Sequence, residues 1–97
     1  MPKAYWVSSY HEIHDEEKLA AYAKLAGPAV TRSGGRFLTR GVAVKAFEAG
    51  KVQRTTVVEF DSLEQAIAAH ETPEYEAALK ALDGGVTRDL RIVEGVD

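Results

Sequence analysis

Two stretches of the sequence carry apolar residues at helical spacing, and each lies between short runs rich in aromatic and β-branched residues. The first stretch runs from Asp15 to Gly34, with Leu19, Tyr22, Ala23, Ala26 and Val30 on one face. Asp15 offers an N-cap, Glu16 and Glu17 suit the positive end of the helix dipole, and Gly34 can close the C-terminus. Gly27 and Pro28 interrupt this pattern and predict a kink or a division into two short helices. The second stretch begins with a capping box, Ser62 and Gln65, and turns Leu63, Ala66, Ile67 and His70 inward. It restarts at Thr72 and Pro73, an N-cap and a first-turn proline, and carries Tyr75, Ala78, Leu79 and Leu82 before Gly84 and Gly85 end it.

The intervening runs read as strands over residues 4–11, 36–40, 42–47, 54–60 and 87–94. Gly41 is then a turn or a bulge, and residues 48–53 (EAGKVQ) are a polar hairpin loop. The order that fits is β-α-β-β-α-β with a broken second helix. This is the split βαβ, ferredoxin-like plan of the α+β class, with both helical layers on one face of an antiparallel sheet. At 97 residues the whole chain, 1–97, forms one such domain with a small core, for which a partner surface would help.

What covers the other face of the sheet is the informative question. Trp6, Ser8 and Tyr10 alternate with Tyr5, Val7, Ser9 and His11, and Val58 and Phe60 alternate with Val57 and Glu59. Both faces are at least half apolar, so the open face, carrying Trp or Tyr, Val and Phe, is expected to bury itself against a second copy of the chain.

Five segments carry a resemblance: the opening AYWV, RSGGRFLTRG, VVEFDSLEQAIAAH, TPEYEAA and the closing RIVEG. Together they resemble the small bacterial family known as domain of unknown function 1330, in the dimeric α/β-barrel superfamily. The resemblance covers nearly the whole chain and implies a ferredoxin-like homodimer. It implies no settled activity, since the wider superfamily includes cofactor-free monooxygenases, lactone isomerases and haem-handling proteins. The chain departs from the family at Leu82 and His70, where members often carry an arginine and an aromatic residue.

Within RSGGRFLTRG, Arg36 and Arg40 stand four apart. In a regular strand that places them on one face about 13 Å from each other, where they pair with acids such as Glu59 and Glu48 or bind an anion. Of the two, Arg40 at the strand's end is expected to matter more. His70 on the apolar stripe and Glu59 are candidate proton-transfer groups, and Arg40, Arg36, Tyr75, His11 and Tyr5 are candidate substrate contacts. No metal is expected: in HEIH the second histidine is three residues from the first, where two strand side chains point to opposite faces.

No phosphate loop, dinucleotide fingerprint or nucleophile elbow occurs, and no cofactor is implied. RGVAVKAF (residues 40–47) approaches the RNA-recognition signature, but valines stand where stacking rings are needed and the net charge is −3, so nucleic acid is not an expected partner. Without cysteine there is no disulfide framework or thiol nucleophile, and no stretch is apolar enough for a membrane. MPKAYWV leads straight into strand-like sequence without a signal peptide, which makes the cytoplasm the expected location. These readings leave two functions: a cofactor-free enzyme with a pocket for an anionic or phenolic metabolite, or a non-catalytic module that binds a ligand or dimerises.

Overall fold

In the computed structural model, which describes residues 2–96, the order is β1 (Ala4–Ile13), α1 (Glu16–Arg32), β2 (Arg36–Val42), β3 (Arg54–Phe60), α2 (Leu63–Ala69), α3 (Pro73–Leu82) and β4 (Val86–Glu94). The strands form one antiparallel sheet in the order β2-β3-β1-β4. Ala4, Trp6, Ser8 and Tyr10 of β1 and Val58 and Phe60 of β3 face the helices and are buried with Leu19, Tyr22, Ala26 and Val30 of α1 and with Ala66, Ala69, Tyr75, Ala78 and Leu82. The indole Nε1 of Trp6 donates to the Ala66 carbonyl at 2.8 Å, tying α2 to the middle of the sheet.

Local chemistry explains the helix ends. Asp15 accepts from the backbone N–H groups of Glu17 and Lys18. Ser62 and Thr72 accept from those of Gln65 and Tyr75. The Gln65 side chain accepts from the Asp61 N–H, one residue earlier than a capping box requires. At the end of α1, Gly34 N–H donates to Thr31 and Gly35 N–H to Val30, the double bond of a Schellman motif, with Gly34 at φ +91°. Gly35 has a separate reason to be glycine. A Cβ there would lie 2.7 Å from Val30, 2.8 Å from Val58 and 2.9 Å from Phe60, so the turn passes directly over the core.

Three local expectations are corrected. The helix runs unbroken through Pro28, which follows a glycine; with no Cβ on Gly27, the proline ring has less to clash with, and the helical conformation survives. Residues 42–47 are not a third strand. Gly41 and Val42 extend β2, paired with Thr55 and Arg54, and residues 43–53 are an irregular exposed loop. Val44 is fully exposed and Phe47 is 73% exposed, so the apolar alternation that suggested a strand has no surface to pack on within the chain. Ile67 points outward and Ala69 takes the buried place in α2.

The open face is also less apolar than expected. Trp6 and Phe60 belong to the covered side. Tyr5, Val7 and Val57 remain on the open side with Val93, among Glu59, Arg36, Asp89 and Arg91.

Candidate functional site

The pairing of β2 with β3 decides where the two arginines of RSGGRFLTRG go. Arg36 pairs with Glu59 and Phe37 with Val58, but the next pair is Thr39 with Val57. Leu38 is an extra residue, a β-bulge, and it shifts the alternation by one. Arg40 therefore lies opposite Thr56, on the helix-covered side with Phe37, while Arg36 stays on the open side. The expectation that both share a face fails because the face count assumes a regular strand.

On the open side, Arg36 is neutralised. Its Nε and Nη2 each donate to Glu59 Oε1 at 3.1 Å, and Nη2 also reaches Asp61 at 3.0 Å. Tyr5 donates its hydroxyl to the other oxygen of Glu59 at 3.0 Å, and Lys3 reaches Asp61 at 3.4 Å. The Tyr5 hydrogen bond, then Arg36, hold the Glu59 carboxyl below its usual range, and Arg36 does the same for Asp61. The same bond to Glu59 raises the Tyr5 hydroxyl above its ordinary range. Every charge here has a partner.

The covered side differs. Between α1 and the sheet lies a cavity walled by Tyr22, Ala26, Gly27 and Val30 of α1 and by Trp6, Ser8, Tyr10, Phe37, Val58 and Leu90 of the sheet, with three arginines: Arg40, Arg54 and Arg88. No aspartate or glutamate lines it. The enclosed part is small, about 40 Å³, and it opens to solvent at a mouth.

Each arginine reaches the cavity from a different strand. Arg40 of β2 is exposed at the mouth, with its guanidinium 4.4 Å from the Phe37 ring centroid. Arg54 opens β3, and its Nε is buried without any hydrogen-bond partner. Arg88 of β4 is the one held by hydrogen bonds. Its Nη1 donates to Tyr10 at 3.0 Å, Tyr22 at 3.2 Å and Ser8 at 3.4 Å, and its Nη2 to Tyr75 at 3.4 Å. The Tyr22 and Tyr75 hydroxyls are themselves hydrogen-bonded at 2.6 Å. Burial works against the charge on Arg88, but the surrounding tyrosine oxygens more than offset it and the group stays cationic above its ordinary range. Burial, then Tyr75, pushes the Tyr22 hydroxyl upward, so it remains protonated.

Of the seven residues singled out in the sequence, Arg40 lines this cavity and Tyr75 stands directly behind it, fully buried. Arg36, Glu59 and Tyr5 are brought together, but on the opposite face. His70 is half-buried at the end of α2, packed on Tyr75 with ring centroids 5.0 Å apart and on Trp6 at 5.6 Å, outside the cavity wall. His11 is exposed, pairs with Asp89 at 2.9 Å, and borders a second cleft together with Ala49, Gly50 and Lys51 of the 43–53 loop. Among the described residues no three His, Asp or Glu side chains cluster as metal ligands. Arg54 and Arg88 escaped the sequence reading, yet a signal existed. Arg54 shares strand parity with Val58 and Phe60, and Arg88 with Leu90 and Ile92, so each is a charge on an inward-facing row.

Comparison with known proteins places this geometry in context. A family model described as domain of unknown function (DUF1330) matches residues 3–96, so the chain belongs to that family. No curated protein matches it. Among solved structures it is similar to a protein of unknown function from Rhodopseudomonas palustris, with a TM-score of 0.76 at 16% identity over 99% of this chain and 84% of that one. It is also similar to SnoaB, a cofactor-independent oxygenase from Streptomyces nogalater (TM-score 0.67, 14% identity, 100% and 96% covered). A dimeric ferredoxin-like protein of unknown function from Thermobifida fusca superposes with a TM-score of 0.62 at 18% identity, covering 96% and 91%. At these identities the likeness is one of fold. No helix among the described residues is long and apolar enough to cross a membrane.

Proposed function

We propose that this member of the family binds a small anionic organic molecule in the cavity between α1 and the sheet. The observation that carries the reading is three guanidinium groups converging on one space with no carboxylate in its wall, one of them with a buried and unpartnered Nε. An isolated buried donor on a cation costs free energy unless something completes it, and an anion does so best. The net charge of the chain is −3, so the cavity's cationic character is local. The rings of Trp6 and Phe37 and the side chains of Val30, Val58 and Leu90 offer the ligand's body an apolar bed.

Arg40 and Arg54, whose guanidinium groups make no hydrogen bond to another side chain among the described residues, are the direct anion contacts in this reading. Arg88 supplies fixed charge, and Tyr75 positions it. The reading is of binding, because neither a carboxylate nor an imidazole lines the cavity. Arg36, Glu59 and Tyr5 then serve the open face.

That face is, in the same reading, the contact between two copies. A globular monomer of 10.6 kDa is expected to expose about 5,500 Å², whereas this chain exposes 6136 Å². The excess, on the order of 600 Å², is comparable to one partner's share of a standard interface, about 800 Å². The fold is a flat slab, 37 × 34 × 15 Å, with helices on one side only, so the open sheet is the broad surface available to a partner.

Calorimetric titration with benzoate tests the site. One benzoate should bind per chain, and Arg40→Gln and Arg54→Gln should each weaken it at least about tenfold, while Arg36→Gln leaves it unchanged. Equal affinity in wild type and both cavity variants, or no binding at all, would defeat the reading.

A further inference from the structure

The hydroxyl protons around Arg88 outnumber their acceptors in the protein. Four hydroxyl oxygens, those of Ser8, Tyr10, Tyr22 and Tyr75, accept hydrogen bonds from its guanidinium. Each of those hydroxyls also owns a proton to donate. Only one such proton has an acceptor in the protein among the described residues, the one shared between Tyr22 and Tyr75 at 2.6 Å. Tyr75 is fully buried and does not line the cavity, whereas Ser8, Tyr10 and Tyr22 do. With Tyr75 donating to Tyr22, the O–H groups of Ser8, Tyr10 and Tyr22 are all left free to point into the cavity. A cation stands behind all three oxygens, and it polarises each O–H toward whatever lies in front.

We infer that the hydroxyls of Ser8, Tyr10 and Tyr22, backed by Arg88, form an oxyanion site that selects ligands bearing a phenolic or enolic oxygen and stabilises that oxygen in its ionised form. The inference rests on the anion-binding reading and refines it. Arg40 and Arg54 receive the ligand's permanent charge from β2 and β3, and the hydroxyl group receives a second, ionisable oxygen from the side of β1, α1 and β4. The ligand class is accordingly a hydroxyaryl or enolisable keto acid. On binding, the proton of that oxygen passes to bulk water and no covalent bond to the protein forms.

The groups facing this oxygen are all neutral donors or cations. They are Ser8 and Tyr10 from β1, Tyr22 from α1, Arg54 from β3 and Arg88 from β4, with Tyr75 of α3 behind them. Burial keeps the Tyr22 hydroxyl protonated, so it acts as donor rather than competing anion. Donors pre-aimed at a developing negative oxygen in a space shielded from water are the arrangement that lowers the energy of an oxyanion most.

The probe is 4-hydroxy-3-nitrobenzoate, whose phenolate absorbs visible light, set beside benzoate, which lacks the phenol. Spectrophotometric titration of the bound probe should find its phenol ionising at least about one pH unit below the free value. Tyr22→Phe and Tyr10→Phe, which keep the rings, should each return it toward the free value. Benzoate binding with no fall in the bound phenol's pKa, or an equal fall in both variants, would overturn the oxyanion site and leave the anion reading standing. Failure of both ligands to bind overturns the anion reading and this inference with it. Should Tyr22→Phe fail to fold by circular dichroism, Tyr10→Phe decides alone.

Discussion

One ten-residue segment sends an arginine to each face of the sheet, and the two meet opposite fates. Arg36 on the open face is bound to two carboxylates, one of them also held by Tyr5. Arg40 on the covered face meets only the Phe37 ring and a cavity that already contains Arg54 and Arg88. A surface that satisfies its own charges is finished by folding. A partly buried surface that leaves like charges together retains an energetic debt that a ligand can remove. The contrast separates the two arginines by their partners, where sequence spacing treats them as a pair.

The largest effect is expected at Arg88, the cavity's one well-bonded arginine. Arg88→Ala strips a charged donor from four hydroxyls and opens a hole beneath α1, so it should cost about 3 kcal/mol in denaturant unfolding. Arg36→Ala, at an exposed and salt-screened network, should cost clearly less. A loss from Arg36→Ala that equals or exceeds the Arg88 loss would reverse the assignment of which charges hold the fold.

Arg54 should move the other way. Its Nε is buried without a partner and like charges flank the cavity, so Arg54→Met replaces an uncompensated donor with an apolar chain of similar reach. We expect the ligand-free protein to gain on the order of 1 kcal/mol, about 4–8 °C in melting temperature for a domain of this size, and to lose benzoate binding. A variant that melts lower than wild type would mean that Arg54 is structural after all.

Much of this arrangement is legible in the sequence, and the exceptions share a cause. Helix boundaries at Asp15, Gly34, Ser62, Thr72 and Gly84 follow from capping chemistry that is local, and the structure has them there. The four-strand order follows from where helical and extended periods alternate. What local pattern misplaced is whatever depends on parity across a neighbour. Residues 42–47 alternate like a strand, but only Val42 finds a strand partner, at Arg54, and residues 43–47 lie outside the sheet. Arg40 is counted to the wrong face because the bulge at Leu38 exists only in relation to β3. Arg54 and Arg88 sit on rows whose inward direction is set by Phe60 and Ile92, several residues away.

The open-face network gives a smaller effect with a definite sign. Glu59 and Asp61 are held below their usual range when folded, so they stabilise the fold at pH values above the unfolded carboxylate range, about 4. That contribution is lost as pH falls through their lowered folded values. The melting temperature of the wild type should therefore fall below about pH 4 more steeply than that of Arg36→Gln, which removes the main cation from the network. Parallel acid profiles would show that the carboxylates owe nothing to Arg36.

The smallest effect is expected where the sequence looks most disturbed. If Leu38 matters only by shifting parity, removing it should leave the site alone. Phe37 already pairs with Val58 and Thr39 with Val57, so deletion of Leu38 joins two residues that regular pairing would place next to each other. Arg40 stays opposite Thr56 and keeps facing the cavity. Leu38 is 53% exposed and β2 is an edge strand, so little packing is lost and no second neighbour must adjust. Benzoate affinity in the deletion variant should stay within about threefold of wild type, a difference under 1 kcal/mol. Insertion of one alanine between Thr39 and Arg40 has the opposite consequence, because it turns Arg40 toward the open face and should reproduce the loss seen in Arg40→Gln. A deletion that abolishes binding, or an insertion that preserves it, would mean that the position of Arg40 is fixed by the bulge's own twist and not by the face on which its side chain emerges.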